Sequence, residues 1–229
     1  MKPHVAFVLC SVLAAPLTTN AQSVARTLKA RVVYLEPSSE DPAELFVTST
    51  GGRKIVKLIP GASIGQDKVD CPVPSSGKVE FTKTKDSKNA VAIAEIPTAL
   101  TDANLFFIKR DKPSESELPY QVAVIDNSRA VVPDGGTFVL NLTDSDVQVT
   151  VGDQSGEMPP GKSHTAKRPE SRDEYQMAPF ILKINNGGDW KPLKDNMMRF
   201  AESERYFVII HAPVKGGRPA VKIYKQAKP

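Results

Sequence analysis

A serine flanked by glycines is the first position in this sequence whose residue type and spacing could do chemistry. Residues 61–65 read Gly-Ala-Ser-Ile-Gly and fit the G-x-S-x-G turn, in which Ser63 would be the nucleophile and His164 or His211 its base. That turn requires a helix directly after the serine, and the segment 66–74 that follows contains two prolines. We therefore predict no catalytic residue, with a hydrolase whose serine and histidine meet only in space as an alternative.

Other spacings that could serve acyl transfer or a metal ion are incomplete. Ser75 and Lys78 fit the S-x-x-K pair, which works from one turn of a helix, but the glycine between them predicts a turn before a strand. The histidines lie far apart in the chain, which leaves no paired metal-ligand motif. Asp144 and Asp146 lack the glycine-centred loop of a calcium site, so we expect a hairpin tip there. The sequence predicts no metal and no other cofactor.

Three single side chains are further candidates. Cys71 is alone once the N-terminal segment is removed, and its apolar neighbours favour a small buried group over a nucleophile. His211 ends an apolar run, which favours a strand-end residue with a backbone partner over a base. Trp190, the single tryptophan, follows a glycine turn, from which it could stack on a sugar, anchor a protein or cover a core edge. Trp190 is the one residue that we predict as a possible contact surface.

The elements that must position these residues are predicted to be strands. Alternating apolar and polar residues, typical of strands with one buried face, occur at 28–34, 78–82, 138–142, 147–151 and 221–223. Continuously apolar runs, which predict central strands covered on both faces, occur at 105–108, 120–125, 180–182 and 206–210. Residues 193–204 fit either a short helix or a strand. We predict an all-β fold with little helix, a β-sandwich of immunoglobulin-like or jelly-roll type.

The domain organisation follows from a turn-rich segment near the middle of the chain. Residues 128–136 contain a proline and two adjacent glycines between two predicted strands. A chain of this length can form two sandwiches of about 100 residues. We predict two tandem modules, 22–131 and 132–229, and one larger sandwich is the alternative.

The N-terminal segment predicts export. Residues 1–21 combine a lysine, a short apolar run and small residues before a cleavage site, so we expect a signal peptide cut after Ala21 and a periplasmic or extracellular location. No later apolar run is long enough to span a bilayer, so no membrane span is expected in the mature chain. The net charge of +4 has acidic residues interleaved throughout, which argues against a nucleic-acid partner.

These features favour a non-catalytic binding, scaffold or envelope-assembly role. The expected partner is another envelope or extracellular protein, or a glycan, and the expected contact surfaces are edge strands and the loops near Trp190 and 167–174. In size, charge and compartment the chain resembles the periplasmic chaperones of pilus assembly, and 92–97 is similar to their strand that ends in Ile-Pro. Their paired cleft Arg and Lys have no identifiable counterpart, so the resemblance assigns no family. It implies an alternative role as an assembly chaperone, with an exposed edge strand flanked by basic residues.

Overall fold

The computed structural model describes residues 24–49, 52–57, 64–65, 67–84, 89–111, 113–212 and 217–227. These residues form sixteen strands and no helix, which confirms the predicted all-β fold class. None of them lies in a helix long and apolar enough to cross a membrane. The strands are β1 (Val24–Tyr34), β2 (Glu44–Ser49), β3 (Gly52–Lys57), β4 (Val69–Pro74), β5 (Lys78–Thr82), β6 (Ala90–Glu95), β7 (Asp102–Lys109), β8 (Tyr120–Asp126), β9 (Thr137–Leu142), β10 (Val147–Val151), β11 (Gln154–Met158), β12 (Ser163–Ala166), β13 (Met177–Asn186), β14 (Asp189–Arg199), β15 (Glu204–His211) and β16 (Ala220–Ala227).

The strands form four sheets whose topology repeats once along the chain. Sheet A has the order β4-β1-β7-β8 and sheet B the order β3-β2-β5-β6. Sheet C has the order β12-β9-β15-β16 and sheet D the order β11-β10-β13-β14. Each strand of sheets C and D therefore takes the place of the strand eight earlier in sheets A and B. The repeat includes the single parallel pair of each half, β1 with β7 and β9 with β15.

The four sheets stack in the order B, A, C, D, with an apolar core between each neighbouring pair. One core joins sheets A and B, and a second joins sheets C and D. The third lies between sheets A and C and contains Val33, Phe106, Phe138, Phe207 and Tyr224. Sheets A and C are thus buried on both faces, while sheets B and D each have one outer face.

The stacking tests the prediction that the continuously apolar runs form central strands covered on both faces. The runs at 105–108 and 206–210 lie in β7 and β15, which are central strands covered on both faces, as predicted. The run at 120–125 is also covered on both faces, but β8 is an edge strand. The run at 180–182 lies in β13, which is a central strand as predicted, but the expected covering on both faces was wrong, because the outer face of the terminal sheet D has no covering layer among the described elements.

Two local expectations are settled by the strand pairing. Residues 193–199 continue β14 and a turn at 200–203 leads into β15, so the strand interpretation of this segment is correct. The hairpin predicted at Asp144 was wrong, because β9 belongs to sheet C and β10 to sheet D. The chain crosses between two sheets at this point. The alternation of apolar and polar residues before and after Asp144 could not distinguish a crossing between sheets from a hairpin.

The side chain of Asn141 fixes that crossing. It is fully buried, and its Nδ2 donates to the backbone oxygens of Ser145 at 2.8 Å and Met158 at 2.9 Å. Its Oδ1 accepts from the backbone N and the hydroxyl of Thr143. Residues 141–143 also form an N-glycosylation sequon, but both amide hydrogens are occupied in the fold. The folded chain therefore has no place for a glycan at this asparagine.

The connection between the two halves is tied to the C-terminal half by Arg205. β8 ends at Asp126 and β9 begins at Thr137, and the predicted boundary falls within this connection. The buried guanidinium of Arg205 donates to Asn127 O at 2.7 Å, to Asn127 Oδ1 at 3.0 Å and to Gln226 Oε1 at 3.2 Å. These bonds fix the connection on top of the core shared by sheets A and C.

Candidate functional site

The predicted serine–histidine chemistry finds no partner in the described residues. Ser63 lies outside them, and neither histidine of this part of the chain hydrogen-bonds a serine hydroxyl. His211 is the last residue of β15 and 3 % exposed, and its Nδ1 lies 2.9 Å from the carbonyl oxygen of Ala212. Because a carbonyl oxygen only accepts, Nδ1 must carry the hydrogen. The expected strand-end histidine with a backbone partner is confirmed, and the hydrolase stays an untested alternative.

His164 occupies a different environment. It lies in β12, half-buried, with its ring against Gly156 of the neighbouring β11. A Cβ built on that glycine would lie 2.4 Å from His164 Nδ1, so only glycine leaves room for the ring. Burial lowers the pKa of His164 from its ordinary value, because the charged imidazolium loses hydration.

Two other candidates have structural roles. Cys71 is fully buried in β4 and faces the core between sheets A and B, as the apolar interpretation predicted. Ser75 lies in a turn in which Gly77 adopts a positive φ of 75°, and Lys78 begins β5. The turn predicted for the S-x-x-K segment is confirmed.

Trp190 lies on the outer face of sheet D. It is the second residue of β14, half-buried, and pairs with Asn185 of β13. Ile184 precedes Asn185 in β13 and points into the core between sheets C and D. Asn185 and its cross-strand partner Trp190 therefore face outward. The residue predicted as a contact surface therefore belongs to one terminal face of the four-sheet stack.

Apolar side chains run along the same outer face. Met177, Pro179 and Ile181 alternate with buried residues of β13, and Met197 of β14 lies opposite Pro179. The side chain of Met197 is 48 % exposed, and Tyr175, just before β13, is 70 % exposed. We call Met177, Pro179, Ile181 and Met197 the apolar stripe. A patch of this kind on an uncovered face is typical of an interaction surface.

The opposite end of the stack has a different surface. On the outer face of sheet B, Lys78 pairs with Glu95 across β5 and β6, with an ion pair at 3.3 Å, and Glu80 lies opposite Ile93. Ile93 is 40 % exposed and the single large hydrophobic residue among these four. At these positions of β5 and β6 the outer face of sheet B is mainly charged, whereas the equivalent β13 and β14 carry the apolar stripe.

β14 is also an open edge of sheet D. In the N-terminal half, β6 approaches β8 and closes one side of the sandwich, whereas the equivalent β14 and β16 do not approach each other in this way. The remaining edges also close in pairs, since β3 contacts β4 and β11 contacts β12. Among the described strands, β14 has a neighbour on one side only. It is the longest of these edge strands, at 11 residues.

The N-terminal part of this edge is protected against pairing with a further strand. The pairing of β13 and β14 shifts between Leu182 and Lys183, so Leu193 forms a bulge next to Pro192. Proline has no N–H to offer a further strand, and a bulge twists the edge away from flat pairing. The part of β14 that could accept another strand therefore begins at Lys194 and continues to Arg199.

The cations of β14 belong to the part of the surface charge that the described residues do not pair. Some cations elsewhere form ion pairs, such as Lys68 with Asp102 at 2.6 Å and Arg110 with Glu117 at 3.1 Å, while others, such as Lys162, form none within the described residues. Lys191, Lys194 and Arg199 of β14 form no ion pair within the described part of the chain. This strand therefore presents charges that the folded chain itself leaves unneutralised.

A cavity of about 360 Å³ opens beside this face, at the turn between β13 and β14. Its lining includes Asn185 and Lys191, the two residues next to Trp190 in pairing and in sequence, and Arg218 from the segment before β16. Amide and cationic groups of this kind suit hydroxyl or carboxylate oxygens. Trp190 is not among its lining residues, and Ile184 and Leu193, which are, belong to the core between sheets C and D.

Neither metal chemistry nor family membership identifies this surface. The described residues contain no group of three or more His, Cys, Asp or Glu side chains that could hold a metal ion. No protein-family model matches the chain, and no curated protein matches it in sequence.

Proposed function

We propose that this chain is an exported, non-catalytic binding or scaffold protein whose contact surface is the outer face of sheet D. The observation that carries the proposal is the apolar stripe on a terminal sheet that has no covering layer among the described elements. Trp190 lies at one end of the same face. The sequence of residues 1–21 supports the exported location.

The stacked architecture supports this role physically. Sheets A and C are held together by their shared core and by Arg205, so sheet D is presented on a rigid support. Binding a partner there would remove the stripe from water at about 25 cal/mol per Å² of apolar area. The expected partner is another envelope or extracellular protein, or a glycan that stacks on Trp190.

The test compares capture of envelope components by variants of the two terminal faces. Ile181→Asp places a charge in the apolar stripe, and Trp190→Ala removes the aromatic ring. Each should lower capture about tenfold, the equivalent of about 1.4 kcal/mol. Ile93→Asp on sheet B is the matched control and should capture like the wild type, with circular dichroism verifying the fold of every variant. Equal capture by Ile181→Asp and Ile93→Asp would contradict the proposal.

One observation favours an assembly chaperone as a second candidate. That role predicts an exposed edge strand flanked by basic residues, and β14 carries Lys191, Lys194 and Arg199 along its open edge. A chaperone should co-purify with a subunit in a defined ratio, and the complex should be lost when Lys194 and Arg199 are changed to Glu. Failure to co-purify any stoichiometric subunit would exclude this candidate and leave the scaffold role.

A further inference from the structure

We propose that two copies of this chain pair through β14, antiparallel about a two-fold axis at Met197. The proposal deepens the proposed function, on which it rests, because it names a second copy of the chain as one partner of the sheet D surface. It is carried by three features of the described residues: the open edge, the protected N-terminal part of β14, and the order of charges from Lys194 to Arg199.

The open edge limits where a second strand can add. β14 has β13 on one side and no described strand on the other, so the outward backbone groups of residues 194–199 have no ladder partner. Pro192 and the bulge at Leu193 exclude any pairing that extends further toward Trp190. A short symmetric ladder over the C-terminal half of the strand is therefore the available geometry.

The charges select one register for that ladder. Asp195, Met197 and Arg199 lie at alternate positions and therefore share the outer face of sheet D. A two-fold axis at Met197 sets Asp195 of each copy opposite Arg199 of the other, and the two Met197 side chains face each other. Both ion pairs would use groups that form none within the described chain.

Other symmetric registers are less favourable. In an antiparallel two-fold pair, each residue faces its mirror position about the centre, and the centre itself faces its own copy. A centre at Lys194, Asp195 or Arg199 would therefore set like charges directly opposite each other, which is destabilising. A centre at Asn196 or Met198 would form no opposite-charge pair between Asp195 and Arg199. The register at Met197 alone forms two.

The same register would make the apolar stripe continuous. Met197 lies opposite Pro179 within one copy, and Ile181 occupies the next outward position of β13. Across the two-fold axis the stripes of both copies would meet at the two Met197 side chains. The result is one eight-stranded sheet with an apolar band across its outer face, which doubles the surface proposed for partner binding.

The test is a charge exchange measured by sedimentation velocity over a concentration series. The wild type should show a dimer that dissociates on dilution. Asp195→Arg and Arg199→Asp should each weaken self-association about tenfold, because each replaces two attractive contacts by two repulsive ones. Mixing these two variants should form a heterodimer, and the double variant D195R/R199D should recover the dimer. Glu80→Arg on sheet B is the control and should dimerise like the wild type.

Two results would overturn the proposal: a wild type that is monomeric throughout the series, or a dimer that neither single reversal weakens. Neither bears on the proposed function, which depends on capture by the Ile181→Asp and Trp190→Ala variants. A monomer whose capture falls with Ile181→Asp would retain the contact surface and lose only the dimer. A dimer with unchanged capture in that variant would contradict the contact surface and retain the pairing of β14.

Discussion

Burial of the His164 ring changes the pKa of this side chain. Its ring packs against Gly156 and its Nε2 is buried without a hydrogen-bond partner among the described residues. Burial holds its pKa below the ordinary value of about 6.5, so the neutral ring is the form that the folded state favours. The stability of the chain should therefore depend on the charge of this ring.

The sign of that dependence follows from proton linkage. Because the unfolded chain binds the proton more readily, acid favours unfolding: the full stability is present above about pH 6.5 and is lost as pH falls through the lower folded-state pKa. His164→Gln should flatten this part of the stability profile, whereas the wild type should lose stability across it. Urea unfolding over about pH 5 to 8 measures both, and NMR titration of the imidazole measures the pKa directly. A folded-state pKa at or above the ordinary value would contradict the prediction.

At the scale of elements, alternation predicted where strands form but not which strands become neighbours. The side-chain period of two fixes the faces of a strand such as 147–151, and these were predicted correctly. Sheet membership depends on long-range pairing, so Asp144 was mistaken for a hairpin tip although β9 and β10 lie in different sheets. The repeat of topology between the two halves is a property of the same pairing, and no local pattern encodes it.

The candidate site was predictable to the same limited extent. Trp190 was singled out from its type and its position after a turn, but its neighbours on β13 lie opposite it only because of the register of the sheet. The apolar run at 180–182 was the available signal. It was interpreted as a strand covered on both faces, because nothing local distinguishes a covered face from one that is left open for a partner.

The crossing between sheets C and D should depend on Asn141. Asn141→Ala would remove two donated and two accepted hydrogen bonds, among them the bonds from Nδ2 to the carbonyl oxygens of Ser145 and Met158. We expect a loss of about 2–3 kcal/mol in the free energy of unfolding, measured by urea titration. Asn186→Ala, at an exposed position with the same change of side chain, should alter stability by less than about 0.5 kcal/mol. Equal effects of the two substitutions would show that the hydrogen bonds of Asn141 contribute little to the free energy of unfolding.

For the whole molecule, the core between sheets A and C decides whether the two halves unfold together. Phe106 of the N-terminal half and Phe207 of the C-terminal half are both fully buried in it. Tyr224 crosses the same boundary, since its hydroxyl donates to Leu35 O at 3.0 Å. The pKa of Tyr224 is raised to about 12, mainly by burial and to a lesser extent by the charge of Glu36. Its hydroxyl therefore remains a donor throughout the neutral range.

This coupling predicts a single unfolding transition. Trp190 is the one tryptophan and lies in the C-terminal half, so its fluorescence reports that half, while circular dichroism reports both. In the wild type the two signals should change together. Phe207→Ala should cost about 3–5 kcal/mol and separate the signals, because each half keeps its own core after the shared one is weakened.

The matched control for that substitution is Phe180→Ala. Phe180 is equally buried, but it lies in the core between sheets C and D and makes no part of the shared core. It should lower the transition midpoint by a comparable amount while fluorescence and circular dichroism still coincide, since the contacts between the halves are intact. If the signals separate in the wild type, or separate equally in both variants, the shared core does not couple the halves, and sheet D is not held on the rigid support that its role as a contact surface requires.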